Sequence, residues 1–145
     1  MYYQELKKMA VDDLSRYYYL KHSLDILPKE IRMLQNSSLY SSVSANSSVM
    51  SSSSADEKFI NHISRIEKLE KQLEDNKEKI SAVETALKAL TSAQRDILYS
   101  YYINRQRRSV THLAIDTHTD RSALYRRAER ALKKYILAYF GTLGD

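Results

Sequence analysis

The chain has 145 residues, 43% hydrophobic and 28% charged, with a formal net charge of +5 and no cysteine. That composition suits a modest core, excludes disulfides and thiolate metal sites, and fits a reducing compartment. No apolar run approaches the roughly 18 residues of a membrane span, and the N-terminal MYYQELKKMAVDD carries acids where a signal peptide has its uncharged core, so the expected setting is the cytoplasm, away from any membrane.

With only Gly141, Gly144 and Pro28 as special turn formers, strands are not expected and the class is all-α. Four segments follow in order: residues 1–36, 37–55, 56–90 and 91–145. In the first, Tyr3, Leu6, Ala10, Tyr17, Leu20, Leu24, Leu27, Ile31 and Leu34 recur at alternating spacings of three and four, with Asp13 as the one charged intruder. This is the seam of a long amphipathic helix. Pro28 removes one backbone hydrogen bond, so a kink or a break is expected there, although the apolar phase continues on both sides. Met9, Val11, Leu14, Tyr18, Tyr19, Ile26 and Met33 lie outside the seam and widen the apolar face enough to predict a second partner surface.

Residues 37–54 contain 11 serines in 18 positions, the composition of a flexible linker. A spacer that lets the chain reverse accounts for it more simply than a phosphorylation site. From Asp56 the repeat is strict: Phe59, Ile66, Leu73, Ile80 and Leu87 hold one seam position, and His62, Leu69, Asn76, Val83 and Leu90 the other. Each long helix would span about 50 Å at 1.5 Å per residue. The two are expected to pack as an antiparallel coiled-coil hairpin, with Asn76 fixing register because its amide demands a partner. His62, alone among apolar neighbours, reads as structural rather than as a metal ligand.

Residues 91–145 carry ten Lys/Arg against five Asp/Glu, whereas residues 1–90 carry thirteen of each. A basic excess confined to short helices is the footprint of a phosphate-binding surface, and double-stranded DNA is the partner it suggests. Thr91 and Gln94 form a predicted capping box for a helix bearing Ile97, Leu98, Tyr101 and Tyr102 and ending near Asn104. After Arg105, Arg107 and Arg108, Ser109 can cap a short helix with Val110, Leu113 and Ala114, and Thr119 or Asp120 caps a third. Together these make a helix-turn-helix. In its last helix Leu124, Ala128, Ala131, Leu132 and Tyr135 form the buried stripe, while Arg121, Ser122, Tyr125, Arg126, Glu129 and Arg130 face the other way. Ile136, Tyr139 and Phe140 could dock on the hairpin or on a neighbour.

The segment LTSAQRDILYSYYINRQRRSVTHLAIDTHTDRSALYRRAERALKKY resembles region 4 of sigma-70-type factors. The markers are the arginine-bearing QRDILYSYY helix, the Val-x-x-Leu-Ala pattern of Val110 to Ala114, and the Arg-Ala-Leu-Lys-Lys run of Arg130 to Lys134. With two long N-terminal helices and a serine-rich insert, the whole chain resembles the phage and prophage transcriptional regulators of the ArpU type. The resemblance implies a sigma-like regulator of late genes, without a promoter-melting region, acting beside a polymerase that already carries a sigma factor. His118 stands where that family usually has a turn glycine, which calls for an unusual backbone conformation or a turn shifted by one residue. Arg127 stands at a usually aliphatic position, leaving Ala128 or the arginine stem to fill the core.

On these grounds Arg121, Ser122, Tyr125 and Arg126 are the expected base contacts. Arg105, Arg107, Arg108, Ser109, Thr119, Arg130 and Lys133 are the expected phosphate contacts. A single module would bind weakly, so the hairpin is expected to join two copies, a dimer first, and to set half-site spacing. RNA polymerase is the second expected partner. Two other classes compete: a protein-interaction module whose basic helices bind an acidic protein, and the DNA-recognition subunit of a phage packaging machine. His22, His62, His112 and His118 show no ligand-like grouping and there is no glycine-rich phosphate loop, so no enzyme, metal or cofactor is expected.

Overall fold

The computed structural model describes residues 2–37, 53–104 and 109–144. The serine-rich residues 38–52 and the arginines at 105, 107 and 108 lie outside them, and with them the expectations placed there. Five α-helices are described: α1 (Tyr3–Gln35), α2 (Ser53–Lys88), α3 (Ser92–Leu98), α4 (Ser109–Asp116) and α5 (Arg121–Phe140). A π-helical turn, Tyr99–Ile103, continues α3. No strand occurs among the described residues, and no described helix is long and apolar enough to cross a membrane.

The helix bounds follow local chemistry. Helix α2 starts at Ser53, inside the stretch expected to be linker, with Asp56 in its first turn favouring the positive end of the helix dipole. Helix α1 runs unbroken through Pro28, so of the two outcomes expected there the break does not occur. The predicted capping box is present: the Gln94 N–H donates to the Thr91 hydroxyl at 3.2 Å, and the Thr91 N–H donates to Gln94 Oε1 at 2.9 Å. Arg95 turns back to donate to the Leu90 carbonyl at 2.7 Å, satisfying one acceptor beyond the end of α2.

The chain divides into two compact units, Lys21–Glu78, and Met1–Leu20 with Lys79–Asp145. In the first, the later part of α1 lies against the earlier part of α2. Asn76 Nδ2 donates to Ser23 Oγ at 2.8 Å while its Oδ1 accepts from Gln72 at 2.7 Å. Further along α1, the Leu34 carbonyl lies 2.7 Å from His62 Nε2. Later residues of α1 thus meet earlier residues of α2, and the helices run antiparallel in this unit. A carbonyl can only accept, so the Nε2–H form of His62 makes this bond and satisfies an acceptor in the last turn of α1.

In the second unit, α1 contributes Leu6, Ala10, Leu14 and Tyr17, and α2 contributes Ile80, Val83, Ala86 and Leu87, all buried. Leu14, expected outside the seam, is fully enclosed. The reason is that α1 is covered here from more than one side: Lys7 reaches α5 and Tyr17 stacks edge-on against Tyr99. Leu98 and Ile103 are both buried because a π turn brings residues five apart onto one face. The α3 apolar set is therefore rotated from the expected one, with Ile97 and Tyr101 only half-buried.

Helix α5 buries Leu124, Ala128, Ala131, Leu132, Tyr135 and Ile136, so Ala128, not the Arg127 stem, fills the core. Its C-terminal turn docks on α2, where Lys79 donates to Tyr139 Oη at 3.0 Å and to Asp13 at 3.3 Å. Asp13, the one charge in the α1 seam, is there as the partner of Lys79. Hydrogen bonding to Tyr139, more than the Asp13 charge, holds the Lys79 ammonium above its ordinary pKa against the opposing effect of burial.

Asn76→Ala removes a buried amide and its bond to the half-buried Ser23 hydroxyl, and a loss of about 1–2 kcal/mol of unfolding free energy is expected. Urea denaturation followed by circular dichroism measures it, and an unchanged midpoint would show that the amide carries no stability.

Candidate nucleic-acid interface

Helix α4 ends in a turn dictated by backbone hydrogen bonds. The His118 N–H donates to the Ile115 carbonyl at 3.3 Å and the Thr119 N–H to the Ala114 carbonyl at 3.1 Å, the pairing of a Schellman stop. That stop needs a left-handed residue just past the helix, and His118 takes it with φ 51°. Glycine would do so without the Cβ crowding that a left-handed L-residue meets. Two residues later Asp120, with extended backbone, accepts from the Ala123 N–H at 2.7 Å and caps α5. Thr119, the other expected cap, instead donates its hydroxyl to the Thr117 carbonyl at 3.0 Å.

Helix α5 carries six Lys/Arg and a single acid, Glu129. Glu129 Oε1 accepts from Lys7 Nζ at 2.9 Å and from Tyr3 Oη at 3.0 Å, so the acid is turned toward the start of α1. Its second oxygen, Oε2, is buried and has no hydrogen-bond partner among the described residues. The carboxylate beside them raises Lys7 through a hydrogen bond. Tyr3 is pushed up to about 12, first by burial and then by the same carboxylate. Tyr102 is raised as well, mainly by burial.

With Glu129 withdrawn, Ser122, Arg126 and Arg130 form an exposed row at spacings of four along α5. Arg121 is exposed too, but one of its guanidinium nitrogens donates to Thr111 Oγ1 at 2.6 Å, tying α5 to α4. Tyr125 keeps 47% of its surface exposed while leaning on Tyr101 and lying beneath Lys7. Lys133 sits over the ring of Tyr3, 5.7 Å from its centre, at the α1 edge of the helix. Ser109 opens α4, but its side chain and the preceding arginines are outside the described residues.

Four participants were not anticipated from the sequence. Arg127 and Lys134 are exposed on the other flank of α5, and Tyr3 with Lys7 forms the partner set of Glu129. The available signal was a lone acid in a cationic helix, together with a tyrosine and a lysine four residues apart beside an apolar seam. Among the described residues no group of three or more His, Asp or Glu could hold a metal ion. No protein-family model, curated protein or solved structure matches the chain.

His118→Gly should raise stability by about 0.5–1 kcal/mol, because the lost left-handed strain exceeds the entropy cost of glycine. A melting curve that drops instead would show that the histidine ring stabilises the turn by other contacts. Lys7 and Tyr3 both titrate higher in the fold than in the unfolded chain, so their contribution is complete below pH 10. It is lost as pH rises through the folded values, between pH 10 and about 12 for Tyr3. The melting temperature should fall across that window, and less steeply in Glu129→Gln. Equal slopes for the two proteins would count against the Glu129 latch.

Proposed function

We propose that this chain is a sequence-specific DNA-binding transcriptional regulator of phage or prophage genes. On this reading α4 and α5 are a helix-turn-helix like that of sigma region 4, and α1 and α2 form a coiled-coil hairpin that dimerises. It is a cytoplasmic, non-enzymatic protein that works beside RNA polymerase. The observation that carries the reading is the exposed row Ser122, Arg126 and Arg130 on a helix whose only acid is occupied by Lys7 and Tyr3. Such a surface meets phosphates and base edges with no carboxylate along the row itself to repel them, the nearest being Asp120, which caps the helix through the Ala123 N–H.

The parts divide the work. Ser122 and Arg126, with Arg121 and Tyr125 beside them near the start of α5, select bases, since recognition helices present their first turns to the major groove. Arg126 offers the bidentate fork that suits guanine. Arg121 holds α4 and α5 at their working angle through Thr111 and has donors left for DNA. Arg130, Lys133, Thr119, Ser109 and the arginines at 105, 107 and 108 supply phosphate contacts, which set affinity and register. The exposed Met9, Tyr18 and Tyr19 in one unit, and Ile26, Met33 and Ile60 in the other, support a second copy as the partner of the long helices.

The test is selection of bound fragments from the source genome at about 150 mM salt, where non-specific phosphate binding is weak. Discrete sites are expected, and the Arg121→Ala, Arg126→Ala double variant should lose them. Arg126→Ala alone should cost about 1–3 kcal/mol at one position of the site, whereas Arg130→Ala should weaken all sequences alike and lower the salt slope by about one. Equal recovery of all fragments, or of none, would end the regulator reading.

A further inference from the structure

Helix spacing gives Glu129 two cationic neighbours on α5 itself. Arg126 lies three residues before it and Lys133 four residues after it, both exposed. Acids and bases at those intervals meet side by side on a helix, and glutamate four residues ahead of lysine is the favoured order. The Glu129 carboxylate instead accepts from Lys7 Nζ at 2.9 Å and from Tyr3 Oη at 3.0 Å, while Lys133 sits over the Tyr3 ring. We propose that Lys7 and Tyr3 are positioning residues for DNA binding: they keep Glu129 from pairing with Arg126 and Lys133, and lifting the start of α1 returns the carboxylate to those cations and weakens the grip on DNA. This rests on the DNA reading, whose affinity it makes adjustable.

The two arrangements compete for one carboxylate. An exposed pair within a helix is a weak interaction, whereas the α1 contacts are partly withdrawn from water and place two donors on one oxygen. The α1 arrangement therefore prevails while the start of α1 is in place. Glu129 Oε2, buried and without a hydrogen-bond partner among the described residues, costs that arrangement part of its advantage and narrows the gap between the two. Tyr3 serves both sides of the competition: its hydroxyl holds Glu129 and its ring holds Lys133. Displacing it frees acid and base together. A cation engaged by a carboxylate no longer exchanges its counterions for a phosphate. Because Lys133 meets phosphate and Arg126 meets a base in the DNA reading, the released acid lowers affinity and selectivity at once.

The test is binding of a fluorescent random-sequence duplex of about 20 base pairs to the full-length chain, read by anisotropy over a range of salt concentrations. Lys7→Ala should weaken binding about tenfold and lower the salt slope by about one to two, and Tyr3→Phe, which keeps the ring and removes only the hydroxyl, should weaken it about threefold. The deciding variant combines Lys7→Ala with Glu129→Gln. With no carboxylate to return, its affinity and salt slope should match those of Glu129→Gln alone to within about twofold. A Lys7 that only contacts phosphate, or only braces the fold, would lose as much affinity with Gln at 129 as with Glu, and that result would overturn the proposal. Parental affinity in Lys7→Ala would overturn it too. If Lys7→Ala is unfolded by circular dichroism, the same comparison made with Tyr3→Phe decides. Random-duplex binding needs no sequence selection, so the rescue seen in a chain that recovers no discrete genomic fragments would end the regulator reading alone. Discrete fragments recovered equally by the parent and by Lys7→Ala would end this proposal alone.

Discussion

Everything outward-facing on α5 depends on where Glu129 goes. One carboxylate among six cations would, if left on the outer face, neutralise part of any phosphate-binding row. The fold instead gives it Lys7 and Tyr3 from the start of α1, in a site where the Glu129 and Lys7 side chains keep 19% and 24% of their surface. Partial burial strengthens the pair relative to a surface bridge, and two hydrogen bonds to Oε1 offset part of the cost of removing these charges from water, to which the buried, unpartnered Oε2 adds. The same contact that removes the acid from the surface holds the first turn of α1 to the middle of α5.

A second clamp acts near the C-terminal end of the same helix. Lys79, from α2, bridges Asp13 of α1 and Tyr139 of α5, with its ammonium 5.5 Å from the centre of the Tyr139 ring. Between the two clamps Leu132, Tyr135 and Ile136 are completely enclosed. The Tyr135 hydroxyl sits in that enclosure with no hydrogen-bond partner among the described residues, and burial raises its pKa. An unpartnered buried hydroxyl carries a desolvation cost. The ring's packing and its stack on Tyr139 have to outweigh it, and α5 is held in one orientation as a result.

That orientation separates two surfaces on one helix. The row Ser122, Arg126 and Arg130 is polar and cationic, suited to phosphates and base edges. The edge Arg127, Arg130 and Lys134 borders the exposed Leu137 instead. Charge alone would make the two indistinguishable, and the neighbouring side chains tell them apart.

The elements themselves were legible in the residues. Heptad spacing marked α1 and α2, Thr91 with Gln94 marked the start of α3, and the 124, 128, 131, 132, 135 stripe marked the buried side of α5, because each is a periodic or capping signal within one helix. The resemblance marked His118 as the turn position but left open a turn shifted by one residue, and the left-handed φ of 51° at His118 selects the unusual conformation. The π turn was not legible, and it rotated the apolar face of α3 toward Ile103. Nor could spacing choose between Thr119 and Asp120 as the cap, between a neighbour and α2 as the dock for Tyr139, or between Ala128 and Arg127 in the core. The sequence by itself determined which stretches become helices and which face of each is apolar, because those follow from side chains a turn apart. Only the tertiary structure decided that Glu129 would leave the cationic face and that Leu14 would join the core. Each of those depends on contacts between residues distant in the chain, for which no local period exists.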